Sequence, residues 1–92
     1  MSLALAPHPE EMRRALRGDR KVIVDQPHAE LHAYLLAAGA QSARVLWITA
    51  SGRRRQRIVE LHQIRFPRPE APWEGIEISP DRLPFASPAR LS

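Results

Sequence analysis

The chain has 92 residues, of which 43% are hydrophobic and 26% are charged, and its formal net charge is +4. This length allows one hydrophobic core and excludes a two-domain organisation. The absence of cysteine excludes disulfide bonds, thiolate metal sites and a cysteine nucleophile. No segment approaches the roughly 18 apolar residues of a membrane-spanning helix. The first residues lack the basic and apolar regions of a signal peptide, so we expect a cytoplasmic protein, with a bacterial cytoplasm as the default.

The first predicted element is a short helix that begins at Pro9 and ends before Gly18. Proline suits the first helical position, and glycine suits the residue after the last turn. Acidic residues lie near its start and arginines near its end, as the helix dipole favours. These residues are Glu10, Glu11, Arg13, Arg14 and Arg17. Met12, Ala15 and Leu16 share one apolar face, which predicts a helix that packs on a sheet.

Residues 21–25 are predicted to form a buried strand, because three β-branched residues lie between charged ends. A second helix is predicted to follow, with Asp25 or Gln26 as its cap and Pro27 in its first turn. An apolar stripe at helical spacing supports this helix, and Gly39 is placed to end it. The stripe consists of Leu31, Tyr34, Leu35 and Ala38.

Two further strands are predicted at residues 44–50 and 58–66, joined as a hairpin by a loop over residues 51–57. The predicted fold is α+β, a small single domain in α-β-α-β-β order. It has a mixed sheet of three or four strands and two packing helices. In the four-stranded version, the additional strand is predicted at residues 75–79, along a sheet edge. The compact domain is expected to cover residues 1–79, and residues 80–92 form an extended or disordered part of a proline-rich C-terminal tail.

Positive charge is concentrated in the middle of the chain. Residues 44–68 contain seven arginines and one acidic residue, a net charge of +6, whereas residues 1–43 are neutral and residues 69–92 carry −2. Guanidinium groups on a hairpin suit phosphate binding. The candidate residues for nucleic-acid or anion binding are Arg53, Arg54, Arg55 and Arg57, supported by Arg44 and Arg65. Trp47 and His62 are candidates for additional stacking. The simpler alternative is that these arginines only keep an exposed turn soluble.

Other kinds of site have less support. His28 and His32 lie four residues apart on the predicted second helix and so share a face, but a zinc site usually needs a third ligand, which His62 or His8 would have to supply. Two exposed histidines are the preferred interpretation. No nucleophile elbow or glycine-rich phosphate loop is present. We therefore predict no metal, no cofactor and no enzymatic activity.

Trp73 lies in a proline-rich segment and has two interpretations. Tryptophan is common at the centre of interfaces, so Trp73 is a candidate anchor for a partner protein. The preferred interpretation is that it folds back over its own core, because the chain contains few aromatic residues.

No family resemblance is evident, so the function is predicted from physical chemistry alone. The first hypothesis is a non-enzymatic module in which the arginine hairpin contacts the phosphates of DNA or RNA. The second is a small adaptor or inhibitor, phage or mobile-element encoded, that binds the acidic surface of a larger protein machine through the hairpin and Trp73. An exposed edge strand would also allow a homodimer.

Overall fold

The computed structural model describes residues 7–79 and 82–83. In chain order these residues form helix α1 (Pro9–Arg17) and the strands β1 (Lys21–Asp25), β2 (Glu30–Ala38), β3 (Ser42–Ile48), β4 (Arg54–Glu60) and β5 (Ile64–Arg65). A short 3-10 helix, Leu61–Gln63, links the last two strands. The sheet order is β4-β3-β2-β1-β5 and every pairing is antiparallel. The predicted α-β-α-β-β order, with two packing helices and a mixed sheet, is therefore wrong.

The error lies in the predicted second helix, whose residues form the central strand β2. Both faces of this strand are covered: Leu35 is buried on one face and Tyr34 on the other. A strand buried on both faces is apolar at almost every position, which hides the two-residue period of a strand. Backbone pairing with β1 and β3 then outweighs the helical propensity of the Ala and Leu residues. Gly39 does not end a helix but lies in the turn to β3, where its N–H donates to the Ser42 carbonyl at 2.8 Å.

The predicted first helix and first strand are confirmed. A capping feature that the sequence analysis missed begins the helix: His8 Nδ1 accepts a hydrogen bond from the Glu10 N–H, and the Glu11 carboxylate accepts one from the His8 N–H. The helix ends at Gly18, whose N–H donates to the Ala15 carbonyl. None of the helices in residues 7–79 and 82–83 is long and apolar enough to cross a membrane.

Helix α1 packs on one face of the sheet, which we call the inner face. Its core includes residues from α1 and from all five strands: Met12, Val22, Val24, Ala33, Leu35, Ala43, Val45, Val59 and Ile64. Val59 and Ile64 come from strands at opposite ends of the sheet order. A flat sheet would hold β4 and β5 about 19 Å apart. Glu60 and Ile64 are separated by four residues and so by at most about 14 Å. The sheet must therefore curl around the inner face.

The C-terminal part of the described chain covers the opposite, outer face. Trp73, Ile78 and Leu83 pack there against Tyr34 and Leu46. Residues 75–79 form no strand, so the predicted edge strand is wrong: the segment crosses a face of the sheet instead of extending an edge. Of the predicted tail, 80–92, only two residues lie within the described chain, and one of them, Leu83, is 5% exposed.

Candidate functional site

The hairpin formed by β3 and β4 has a tight three-residue turn. The Thr49 N–H donates to the Arg53 carbonyl at 2.8 Å, and the Gly52 N–H donates to the Thr49 carbonyl at 2.8 Å. Gly52 has a φ of +87°, the left-handed conformation that such a turn requires at this position. The prediction of a long loop over residues 51–57 is therefore wrong. Most of the arginines belong to strand β4, where backbone pairing fixes their spacing.

The arginines alternate between the two faces of the sheet. In the β3–β4 register Arg57 is opposite Val45 and Arg55 is opposite Trp47, so both project from the inner face. Arg54 and Ile58 project from the outer face, where Ile58 is opposite Arg44.

Residues two apart on one face are separated by about 7 Å. The structure thus brings together five of the six predicted residues, and we call Arg44, Arg53, Arg54, Arg55 and Arg57 the arginine edge.

Arg65, the sixth predicted residue, lies elsewhere. It belongs to β5, which is at the other end of the sheet order from β4. Its Nε donates to both oxygens of Asp25 at 3.1 Å, and its Nη2 donates to Glu30. These two carboxylates offset its charge, so the structure does not bring Arg65 to the arginine edge.

The arginine edge is exposed, and its charge is not neutralised by the residues that the structure describes. Within 7–79 and 82–83, no residue of the arginine edge forms an ion pair with a carboxylate. Arg54 donates a hydrogen bond to the Arg82 backbone carbonyl at 3.2 Å, which leaves its charge in place. Helix α1 differs: there Arg13 pairs with Glu10 at 3.1 Å and lowers the pKa of that carboxyl.

The backbone of β4 is a second feature of the site. Thr49 and Arg53 are directly opposite and hydrogen-bonded, and the Leu61 N–H donates to the carbonyl of Gln41, its own opposite residue. Along an antiparallel pair of strands, hydrogen-bonded residue pairs alternate with pairs that are not hydrogen-bonded. Every second residue between Arg53 and Leu61 therefore directs its backbone N–H and C=O towards β3. These residues are Arg55, Arg57 and Val59. The N–H and C=O groups of Arg54, Gln56 and Ile58 therefore point away from the sheet. This feature is not evident from the sequence, in which most of β4 is predicted to be a loop.

Trp73 lies half-buried against its own sheet. Its Nε1 donates to the carbonyls of Val22 and Ala33, both at 3.1 Å. Its ring packs edge-on against Tyr34 at 5.1 Å between centroids, and Lys21 Nζ lies 4.9 Å from a ring centroid of Trp73. Trp73 therefore adopts the covering position, which is the interpretation preferred from the sequence over a partner anchor.

Gly75 provides the space for this tryptophan. A Cβ atom at residue 75 would lie 2.6 Å from the Trp73 ring and 3.0 Å from the His32 carbonyl. We therefore expect Gly75→Ala to displace the ring and to lower the free energy of unfolding by about 1–3 kcal/mol. Urea denaturation followed by tryptophan fluorescence measures this loss. Gly39→Ala is the matched control, because a Cβ there would have only an ordinary contact at 3.7 Å. Equal losses in the two variants would contradict the proposed steric cause.

The structure separates the two histidines considered as metal ligands. His28 lies in the turn between β1 and β2, and His32 lies on β2. The Nδ1 of His32 accepts a hydrogen bond from the Glu74 N–H at 2.8 Å, so this nitrogen has a partner within the chain. In the described part of the chain, no three His, Asp or Glu residues are grouped so that they could hold a metal ion. We propose no metal site.

The two residues predicted to add stacking are also separated. Trp47 is half-buried beside the inner core, opposite Arg55. His62 lies in the 3-10 helix after β4 and hydrogen-bonds to Glu60. Only Trp47 therefore adjoins the arginine edge.

Searches of protein-family models, curated proteins and solved structures find no match to this chain.

Proposed function

We propose that this protein is a non-enzymatic nucleic-acid-binding module in which the arginine edge contacts phosphate groups. One observation carries the proposal: five arginines are concentrated on a hairpin at one end of the sheet, and no described carboxylate forms an ion pair with them. We propose that this binding takes place in the cytoplasm.

The alternation of the arginines supports a polymeric anion as the ligand. Arg55 and Arg57 reach from the inner face and Arg44 and Arg54 from the outer face, so a ligand that lies along the edge can be contacted from both sides. Each guanidinium offers several donors that suit phosphate oxygens. Each phosphate that is neutralised releases condensed counterions, so affinity falls steeply with salt concentration.

A salt titration tests the proposal. We expect the arginine edge to contact about four to five phosphates of a fluorescently labelled DNA duplex. A plot of the logarithm of the association constant against the logarithm of the salt concentration should then have a slope of about −4. Replacing Arg53, Arg55 and Arg57 together by alanine should change the slope to about −1, because each lost contact removes about 0.9 from it. Fluorescence anisotropy between 50 and 300 mM salt measures both slopes, and a single-stranded oligonucleotide tests the other form of the ligand.

The matched control replaces Arg13, Arg14 and Arg17 of α1 by alanine. This variant loses the same formal charge from exposed positions but keeps the arginine edge. Its slope should stay close to that of the parent protein. If the two triple variants reduce the slope equally, net charge and not the arginine edge determines binding. Binding of the parent that is weak and independent of salt would refute the proposal.

A further inference from the structure

The outer edge of β4 carries backbone hydrogen-bonding groups that no strand in the described part of the chain uses. Arg54, Gln56 and Ile58 each direct a backbone N–H and a C=O away from the sheet. All residues from Arg54 to Ile58 are exposed, and within 7–79 and 82–83 no strand pairs with this side of β4. Ile58 is 61% exposed, more than any other large hydrophobic residue in the described part of the chain. Open edges of this kind are templates for the addition of another strand.

A phosphate backbone satisfies only half of this edge, because phosphate oxygens accept hydrogen bonds and the three outward carbonyls also need donors. An extended peptide offers both donors and acceptors at the spacing of a β-strand. The surrounding arginines select for negative charge. We propose that β4 also binds an acidic extended peptide, which pairs with it as a sixth strand. This inference goes beyond nucleic-acid binding and does not depend on it.

The side chains of β4 define the peptide. For an antiparallel strand, the residues opposite Arg57, Arg55 and Arg54 should be acidic, because opposite charges across a pair of strands are favourable. The residue opposite Ile58 should be apolar and β-branched, and the residue opposite Gln56 should be polar. Written from its amino end, the peptide that fits is Val-Glu-Thr-Glu-Glu. Its first, third and fifth residues would direct their backbone N–H groups to β4.

A second copy of this chain fits the same edge poorly. If two β4 strands paired antiparallel around Gln56, Arg55 of each copy would be opposite Arg57 of the other. Like charges directly opposite each other on paired strands are destabilising. The arginines therefore disfavour the edge-strand homodimer that the sequence allowed, and they favour an acidic partner.

The test uses a labelled peptide, acetyl-Thr-Val-Glu-Thr-Glu-Glu-Thr-amide, and the variant Gln56→Pro. Proline at residue 56 removes one outward N–H, keeps the net charge and leaves the hydrogen bonds to β3 intact. We expect Gln56→Pro to weaken peptide binding at least tenfold and to change binding of the labelled oligonucleotide less than twofold. Gln56→Ala is the control and should keep both affinities. Equal peptide binding by Gln56→Pro and Gln56→Ala would overturn strand addition.

Modified peptides give a second readout that does not require the variant to fold. N-methylation of the first, third and fifth core residues should abolish binding to the parent protein, whereas N-methylation of the second and fourth should preserve it. Equal loss in both peptides, or loss in neither, would overturn the proposal. A dimer of the parent protein in light scattering that Gln56→Pro converts to a monomer would assign the edge to a second copy instead. Failure of oligonucleotide binding alone would refute only the nucleic-acid proposal.

Discussion

Trp73→Ala is expected to lower the free energy of unfolding by about 3 kcal/mol, the lower end of the usual cost of truncating a large aromatic residue in a core, because Trp73 is half-buried. The substitution removes two hydrogen bonds, to the carbonyls of Val22 and Ala33, together with the ring contact to Tyr34. It also uncovers part of the outer face. A domain of this size has only about 5–15 kcal/mol of stability in total, so a large fraction would be lost. Thermal and urea denaturation followed by circular dichroism measure the change.

Trp73→Phe is the matched control. It keeps a large aromatic ring but removes the N–H donor, so the expected loss is smaller, about 1–2 kcal/mol. These results would assign Trp73 to the stability of its own domain. If Trp73→Ala unfolds at the same urea concentration as the parent protein, Trp73 does not stabilise the outer face, and its role as a partner anchor becomes the better explanation.

Leu35→Ala should give a loss of similar size, about 2–5 kcal/mol. Leu35 is 0% exposed on the inner face of β2, the central strand, and its neighbours in the core belong to other strands and to α1. Strands held by backbone pairing on both sides cannot move far to fill a cavity, which places the expected cost in the upper part of this range. Urea denaturation measures this loss, because the midpoint concentration and the dependence of the unfolding free energy on urea together give the free energy of unfolding.

Ala38→Glu is the comparison that distinguishes the strand from the predicted helix. In the helix, Leu31, Leu35 and Ala38 would share one buried face, and a glutamate at residue 38 would be as damaging as alanine at residue 35. In the sheet, Ala38 is exposed near the end of β2. We therefore expect Ala38→Glu to change stability by no more than about 0.5 kcal/mol. A loss above about 2 kcal/mol would contradict the assignment of β2.

Local signals predicted some elements of this fold well. Pro9, Gly18 and the charges between them define α1, because helix ends depend on a few neighbouring residues. The first strand was predicted with its observed bounds, because a β-branched run between charged residues is an unambiguous local pattern. Segment 30–38 had no such local signature. It contains Ala, Leu and Glu, which are good helix formers, and its strand conformation depends on partners before and after it in the chain.

The candidate site was predicted in composition but not in geometry. Counting charges along the sequence was enough to find Arg53, Arg54, Arg55 and Arg57. The three-residue turn and the β3–β4 register placed most of them along an edge strand and on alternate faces. The pairing of Arg65 with Asp25 and Glu30 joins residues that are 40 and 35 positions apart. The spacing of residues along the sequence does not indicate such contacts.

The sequence by itself determined that this chain forms a small single domain, that its positive charge lies between residues 44 and 68, and that α1 and β1 form. These properties depend on composition or on neighbouring residues. The tertiary structure alone decided that residues 30–38 form a strand, that Trp73 covers the outer face and that β4 is an edge strand of the sheet formed by the described residues. Each of these depends on contacts between distant segments, because hydrogen-bond partners and burial are supplied by the rest of the fold.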